Sequence, residues 1–277
     1  MKRWSWLYAG IERFFERPYR AGKLINRRYR IENCLGMGSY GITYIACDIV
    51  TNQYVVLKQM RKTKRNKGAF SFQREAQILN MLKHPRIPKL YDSFIIKDIP
   101  HLVMELISGK TVEDLIFKEG KTFTERESFQ LLMDILAIVQ YIHQNGIVHR
   151  DLRIPNVIIK EGNAYIIDFG LARFLTESGR EDSGDVLEQK LRREISVKSD
   201  FYALGHFMLF LLYSTYEPTV KEERSWEEEL SLSMKARYIL RKMLQMDAPY
   251  EDIHELSADI HRLLRNWGNG GINDVIV

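Results

Sequence analysis

Three glycines set between two strand-like segments constrain this chain more than any other feature. They stand in Gly36-Met37-Gly38-Ser39-Tyr40-Gly41, with Tyr29–Leu35 before them and Ile42–Asp48 after. A dinucleotide-binding turn needs a helix after its glycines, and here a strand follows. A Walker-type loop needs Gly-Lys-Ser/Thr, and none is present. What is left is a hairpin with little side chain at its tip, whose backbone N–H groups can close on charged oxygens such as phosphates.

The next charged residue of note ends the following strand. Val55-Val56-Leu57 leads into Lys58, 17 residues past Gly41. An ammonium at the end of a buried apolar run needs an anion. Glu75 is the obvious candidate, on the first helix after that strand, expected over Phe72–Leu82 after a basic loop at Arg61–Lys67. On that helix Glu75, Leu79 and Leu82 share one side.

Further strands are expected near Leu90–Ile96 and His101–Leu106, and from Thr111 the periodicity turns helical. Thr111 with Asp114, and Thr124 with Glu127, fit the pattern of a cap and a third-position acid. Phe129, Leu132, Ile135, Leu136, Val139 and Ile142 then form an apolar stripe that Gly146 ends. A small hairpin is expected around Glu161-Gly162-Asn163, and more helices over 200–213, 234–245 and 257–267. The fold class is therefore α+β, with strands first and helices later. We divide it into a basic extension (1–27), a small β-rich lobe (28–104), a hinge with a larger α-helical lobe (105–267) and a tail (268–277).

Composition excludes other classes. With 45% hydrophobic and 28% charged residues the chain is neither disordered nor fibrous. Cys34 and Cys47 are too few for a disulfide framework and read as reduced thiols on neighbouring strands. The most apolar stretch, Phe201–Tyr216, is too short to span a bilayer and reads as a buried helix. No secretory signal is apparent, so the expected compartment is the cytosol, with the membrane periphery as a second station. The net charge of +5 is concentrated at one end. Residues 1–30 hold nine Lys and Arg against two Glu, so the remainder is slightly acidic. Trp4, Leu7 or Tyr8, Ile11 and Phe14 or Phe15 recur at helical spacing until Pro18. A helix packed on the body is the first reading of this run, an anionic membrane surface the second, and nucleic acid a weaker third.

Two more segments complete the pattern. His149-Arg150-Asp151-Leu152-Arg153-Ile154-Pro155-Asn156 puts a carboxylate and a carboxamide five residues apart on a tight loop, able to face one point. Asp168-Phe169-Gly170 follows 17 residues after Asp151, behind a short apolar strand. With the glycine hairpin and Lys58, in this order, the set resembles the protein-kinase family, of the compact bacterial serine/threonine type, from about Tyr29 to Trp267.

The resemblance implies a bilobal enzyme that moves the γ-phosphoryl group of ATP to a protein hydroxyl, with magnesium or manganese as cofactor. It implies catalytic roles for Asp151, Lys58, Glu75 and Arg153, and metal ligation by Asn156 and Asp168. It implies a nucleotide site formed by Leu35, Gly36, Gly38, Gly41, Thr43, Val56, Lys58, Met104, Glu105, Ile107 and Ile158. Asp200 is expected to start a central helix and hold the loop backbone, and His149 to pack beneath the site.

The chain also departs from the family. Arg153 stands where Lys is usual, Ile154 where Pro is usual, Val56 for Ala and Thr43 for Val. The Ala-Pro-Glu element is missing, and so is an arginine near 247–252 to pair with it. A small-molecule or lipid phosphotransferase, and a nucleotide-binding protein without catalysis, are the alternatives. Thr176, Ser178, Ser183 and Ser196 are the candidate sites of autophosphorylation.

Overall fold

A computed structural model describes residues 17–38, 41–62, 65–177, 191, 194–217 and 224–268. The chain forms two compact units that divide between Ile107 and Ser108. No helix among the described residues is long and apolar enough to cross a membrane.

The first unit is a six-stranded antiparallel sheet with one long helix. Its strands are β1 (Leu24–Ile25), β2 (Tyr29–Met37), β3 (Gly41–Asp48), β4 (Gln53–Met60), β5 (Leu90–Ile96) and β6 (Ile99–Glu105), in the order β1-β2-β3-β4-β6-β5. Period-two alternation sorts the faces. Ile31, Ile42, Tyr44, Ala46, Val55, Leu57 and Val103 are buried together in one core. The other face carries the row Gly36–Thr43–Lys58–Leu102 and, beside it, Ile45–Val56–Met104. Residues directly opposite on a ladder share a face, so Lys58, Thr43, Val56 and Met104 sit together because the register requires it.

Helix α1 runs from Arg65 to Met81. It starts inside the stretch expected to be a basic loop, and the expected start at Phe72 is corrected by seven residues. Lysine and arginine are good helix formers, so a run of them does not mark a loop.

The extension expected to end at residue 27 also needs correction. Arg17 to Arg27 belong to the sheet unit: β1 pairs with β2, and Ile25 lies in the core. The Tyr19 hydroxyl donates to His101 Nε2 (3.0 Å), and the Tyr19 N–H donates to the Tyr44 hydroxyl (3.1 Å), which in turn donates to Gln59 Oε1 (2.8 Å). His101 Nδ1–H donates to the Ile99 carbonyl at 2.8 Å, which fixes Nε2 as the acceptor. The helical run Trp4–Phe15 lies outside the described residues.

Burial holds the His101 pKa down at about 4, from an ordinary 6.5. A neutral imidazole in the fold and a protonatable one in the unfolded chain make stability depend on pH. That stability is complete above 6.5 and is expected to drain away as pH falls towards about 4, by roughly 2–3 kcal/mol. Urea unfolding across this window should show a shallower slope for His101→Phe than for wild type, and equal slopes would refute the assignment.

The second unit is mainly helical: α2 (Val112–Phe117), α3 (Glu125–Gln144), α4 (Val197–Tyr213), α5 (Trp226–Glu229), α6 (Met234–Met243) and α7 (Ile253–Gly268). Its short strands are β7 (Lys110–Thr111), β8 (Ile147–Val148), β9 (Val157–Lys160), β10 (Asn163–Ile166) and β11 (Arg173–Phe174). Thr124 caps α3 in a reciprocal box with Glu127, and the Thr111 hydroxyl accepts from Asp114 N, each cap contributing about 1 kcal/mol. The expected apolar stripe of α3 is buried throughout, and α3 packs on α4, α7 and β10. The expected hairpin forms as β9–β10, its turn residues Glu161 and Gly162 both at positive φ. Helix α4 is buried on nearly every side, as its composition requires.

Candidate active site

In the first unit the site is built on one face of the sheet. Lys58 Nζ donates to both carboxylate oxygens of Glu75, each at 2.8 Å, and both residues are buried. A buried ammonium is tolerable only with such a partner, so strand β4 and helix α1 are fixed to one another here. Nζ also stands 5.7 Å from the centre of the Phe72 ring.

Of the three loop glycines, only Gly41 is tightly enclosed. A Cβ there would lie 3.1 Å from the Gln59 carbonyl and 3.1 Å from Phe72 Cζ, whereas Gly36 has open space around it. Gly38 N donates to the Gly41 carbonyl at 2.8 Å, and Ser39 and Tyr40 lie outside the described residues. Leu35 is exposed beside this hairpin, and Met104 and Ile107 are buried. The Glu105 N–H is taken by the Lys89 carbonyl at 2.9 Å. Ile45 shares the face of Thr43 and Val56 and was missed in the sequence, although the period-two alternation from Thr43 reaches it.

In the second unit, the loop between β8 and β9 holds the candidate catalytic groups. The buried Asp200 carboxylate on α4 organises it. Its Oδ1 accepts from Arg150 N (2.7 Å), and its Oδ2 from His149 N (2.9 Å) and His143 Nε2 (2.9 Å). Burial alone would raise this carboxyl. The hydrogen bond from His143, the electrostatic interaction with His143 and His149, and the hydrogen bond from the His149 N–H outweigh it and hold the group below its ordinary range. These bonds clamp Arg150 at φ 65°, a left-handed conformation that a non-glycine residue adopts only when its surroundings impose it.

The clamp aims Asp151. Its Oδ1 accepts from Arg153 Nε at 2.6 Å, and its Oδ2 from Arg153 Nη2 (3.2 Å) and Asn156 Nδ2 (2.7 Å). Asn156 Nδ2 also donates to the Asp151 carbonyl at 2.9 Å. The Asn156 amide nitrogen is thus committed, and its Oδ1 is the atom suited to a cation. Hydrogen bonds donated to Asp151 raise the Arg153 guanidinium pKa still further. His149 is buried, its Nδ1 accepting from Asp151 N and its Nε2 donating to the Ile167 carbonyl. Its ring meets Phe169 edge-on at 4.7 Å. Asp168 precedes it at φ 61°, exposed, with Oδ1 accepting from Gly170 N at 3.2 Å. Carboxylate and amide oxygens are the donors a hard divalent cation prefers, so Asp168 and Asn156 fit such an ion.

Ile158 lies on β9 opposite Thr111. Gly109 was missed in the sequence. A Cβ there would fall 2.6 Å from both Ile158 Cγ2 and the Ile159 carbonyl, so only glycine lets the chain pass. A Ser-Gly step straight after an apolar strand was the available signal.

Thr176 is exposed, and Ser196 caps α4 by accepting from Lys198 N. Ser178 and Ser183 lie outside the described residues. Lys198 Nζ pairs with Glu251 at 2.8 Å.

A carboxylate aimed by its own loop, a buried lysine–glutamate pair and a glycine hairpin belong to one class of protein, the ATP-using phosphotransferases with a protein-kinase fold. Residues 29–267 match the family model of the protein kinase domain, and the chain belongs to that family. It is 38% identical over 254 residues to the probable serine/threonine-protein kinase YbdM of Bacillus subtilis, an alignment covering 91% of this chain and 95% of that protein. It is 34% identical over 202 residues to the serine/threonine-protein kinase PrkC of Bacillus subtilis, covering 69% of this chain and 31% of that protein. It is 30% identical over 198 residues to the serine/threonine-protein kinase PknB of Mycobacterium tuberculosis, covering 65% of this chain and 32% of that protein. The chain therefore matches nearly all of YbdM but only about a third of the other two.

Proposed function

We propose that the chain transfers the γ-phosphoryl group of ATP to serine and threonine hydroxyls of proteins, and to its own residues between 171 and 199. The observation that carries this reading is the Asp151 carboxylate, steadied by Arg153 and Asn156 in a loop bound to Asp200. Asp151 would receive or orient the acceptor hydroxyl. Arg153 would turn its planar fork from Asp151 towards the transferring group. Lys58, kept in place by Glu75, would pair with the nucleotide phosphates. Leu35, Gly36, Gly38, Gly41, Thr43, Val56, Met104 and Ile158 would bound the nucleotide, with backbone groups of Glu105 and Ile107 at the adenine edge. Asn156 and Asp168 would hold magnesium, or manganese in its place, and the ion supplies neutralisation of phosphate charge when bound. Alignment and preorganised charge would carry most of the rate.

For the run Trp4–Phe15 a helix packed on the body stays the first reading, an anionic membrane surface the second and nucleic acid a weaker third, with the enzyme in the cytoplasm. Phosphoamino-acid analysis after incubation with labelled ATP, magnesium and a basic protein substrate should give phosphoserine and phosphothreonine. Label entering only a lipid or small-molecule acceptor, or only tyrosine, would overturn the proposal.

A further inference from the structure

Helices α6 and α7 of the second unit pack together and leave a cleft of about 400 Å³ between the first turn of α6 and the last turns of α7. Its apolar lining is Ile239, which is buried, and Tyr238, which is 51% exposed. The rest is polar: Lys235 from α6, and Asp259, Arg262, Arg265 and Asn266 from α7. None of these residues belongs to the candidate active site.

Three cations meet one acid in this cleft. That acid, Asp259, already accepts from the Tyr250 hydroxyl at 2.8 Å and pairs with Arg262. The nearby acids on the packed helices are taken as well. Glu255 on α7 holds Lys242 at 2.5 Å, and Glu125 on α3 accepts from the N–H and hydroxyl of Ser233, the α6 cap, at 2.9 and 2.6 Å. The side chains of Lys235 and Arg265 are exposed, with no hydrogen-bond or ionic partner among the described residues. Arginines near the carboxyl end of α7 complement its dipole. Lys235 does the opposite. It lies in the first turn of α6, at the positive end of that helix, in a turn with no acid. A bound anion would relieve that placement.

We propose that this cleft binds the phosphate of a phosphorylated serine or threonine in a protein. A phosphomonoester brings nearly two negative charges and three acceptor oxygens. The ammonium of Lys235 and the guanidinium of Arg265 match it from two helices, and the Asn266 amide is a further donor. The cavity exceeds what inorganic phosphate fills and suits a small organic group. Met234, 62% exposed and one turn before Tyr238 on the same face, extends the apolar surface for residues beside the phosphorylated one. The choice of a protein carrier rests on the kinase reading above, whose products are such side chains. The site would favour proteins that already carry a phosphate.

Fluorescence anisotropy of a labelled, alanine-flanked phosphothreonine peptide tests this on the full chain carrying Asp151→Asn, in which transfer is expected to fail. The phosphopeptide should bind about tenfold tighter than its unphosphorylated twin, and inorganic phosphate should displace it only at far higher concentration. Adding Lys235→Ala or Arg265→Ala should weaken binding about tenfold each, the loss of one hydrogen bond between charged groups. Thermal unfolding of these variants should match that of the parent, because neither side chain has a partner to lose. Equal binding by the parent and both variants, or no preference over the unphosphorylated twin, would overturn the inference. Displacement by inorganic phosphate at the peptide's own concentration would mark an adventitious anion site only, and so would end it. Binding seen only after deletion of residues 269–277 would assign the cleft to the chain's own tail and equally end it. Binding is read here without transfer, so its failure would leave the kinase reading standing, and a failed transfer assay would leave the binding result standing.

Discussion

Asp151→Asn is expected to lower kcat for phosphoryl transfer by about a thousandfold, the scale of losing a positioned proton acceptor. Asparagine keeps the size of the side chain and one oxygen for Arg153 Nε, now 2.6 Å from Oδ1. It puts an amide donor opposite Asn156 Nδ2 and removes the charge. Nucleotide binding should therefore persist while transfer fails. Labelled-ATP transfer and ATP titration on the same preparation check both halves. A kcat close to wild type would remove Asp151 from the chemistry and leave its hydrogen bonds as scaffold only.

Asp200→Ala is expected to damage the fold as well as the reaction. The carboxylate is fully buried and accepts three hydrogen bonds, from His143 Nε2, His149 N and Arg150 N. Removing it leaves those donors without an acceptor in a dry interior and frees Arg150 from its left-handed conformation. Breaking a buried charged network from one side costs about 3–5 kcal/mol. Urea unfolding should show that loss, and transfer should fall with it because Asp151 is no longer aimed. Asp200→Asn, which retains an accepting oxygen, should fall between the two in stability. An alanine variant as stable as wild type would mean that the loop holds its shape by other means.

Much of the candidate site could be proposed from the sequence because its residue types sit in short segments. The glycine hairpin, His149 to Asn156 and Asp168-Phe169-Gly170 each fix their residue types within a few positions, where spacing constrains geometry. The Thr124–Glu127 box is equally local. What escaped was encoded at long range or without a period. Tyr19 meets His101 across 82 positions, and nothing near Tyr19 announces a partner. The pairs Lys198–Glu251, Lys242–Glu255 and Arg241 with Glu227 and Asp247 join charges that look like ordinary surface residues in the sequence. The starts of α1, α4 and α7 were read late, whereas α6 starts at Met234 as expected. Helix α7 begins at Ile253 because Asp252 Oδ1 accepts from His254 N and Glu255 N, and α4 begins at Val197 behind the Ser196 cap. Those caps were visible as residue types but lay outside the apolar stripes used to find the helices. Helix α5, too short for any periodicity, was announced only by Ser225 and Glu228.

Phe72 has a consequence for signalling within the first unit. Its ring rests against the Cα of Gly41 closely enough that a single methyl group would crowd it, and it rides on the same helix as Glu75. Any displacement of that helix which withdraws the glutamate from Lys58 must carry the ring away as well, and so remove the prop beneath the base of the hairpin. One aromatic wedge thus ties the integrity of the ion pair to the stiffness of the hairpin, so the two are built to loosen or tighten as a single lever.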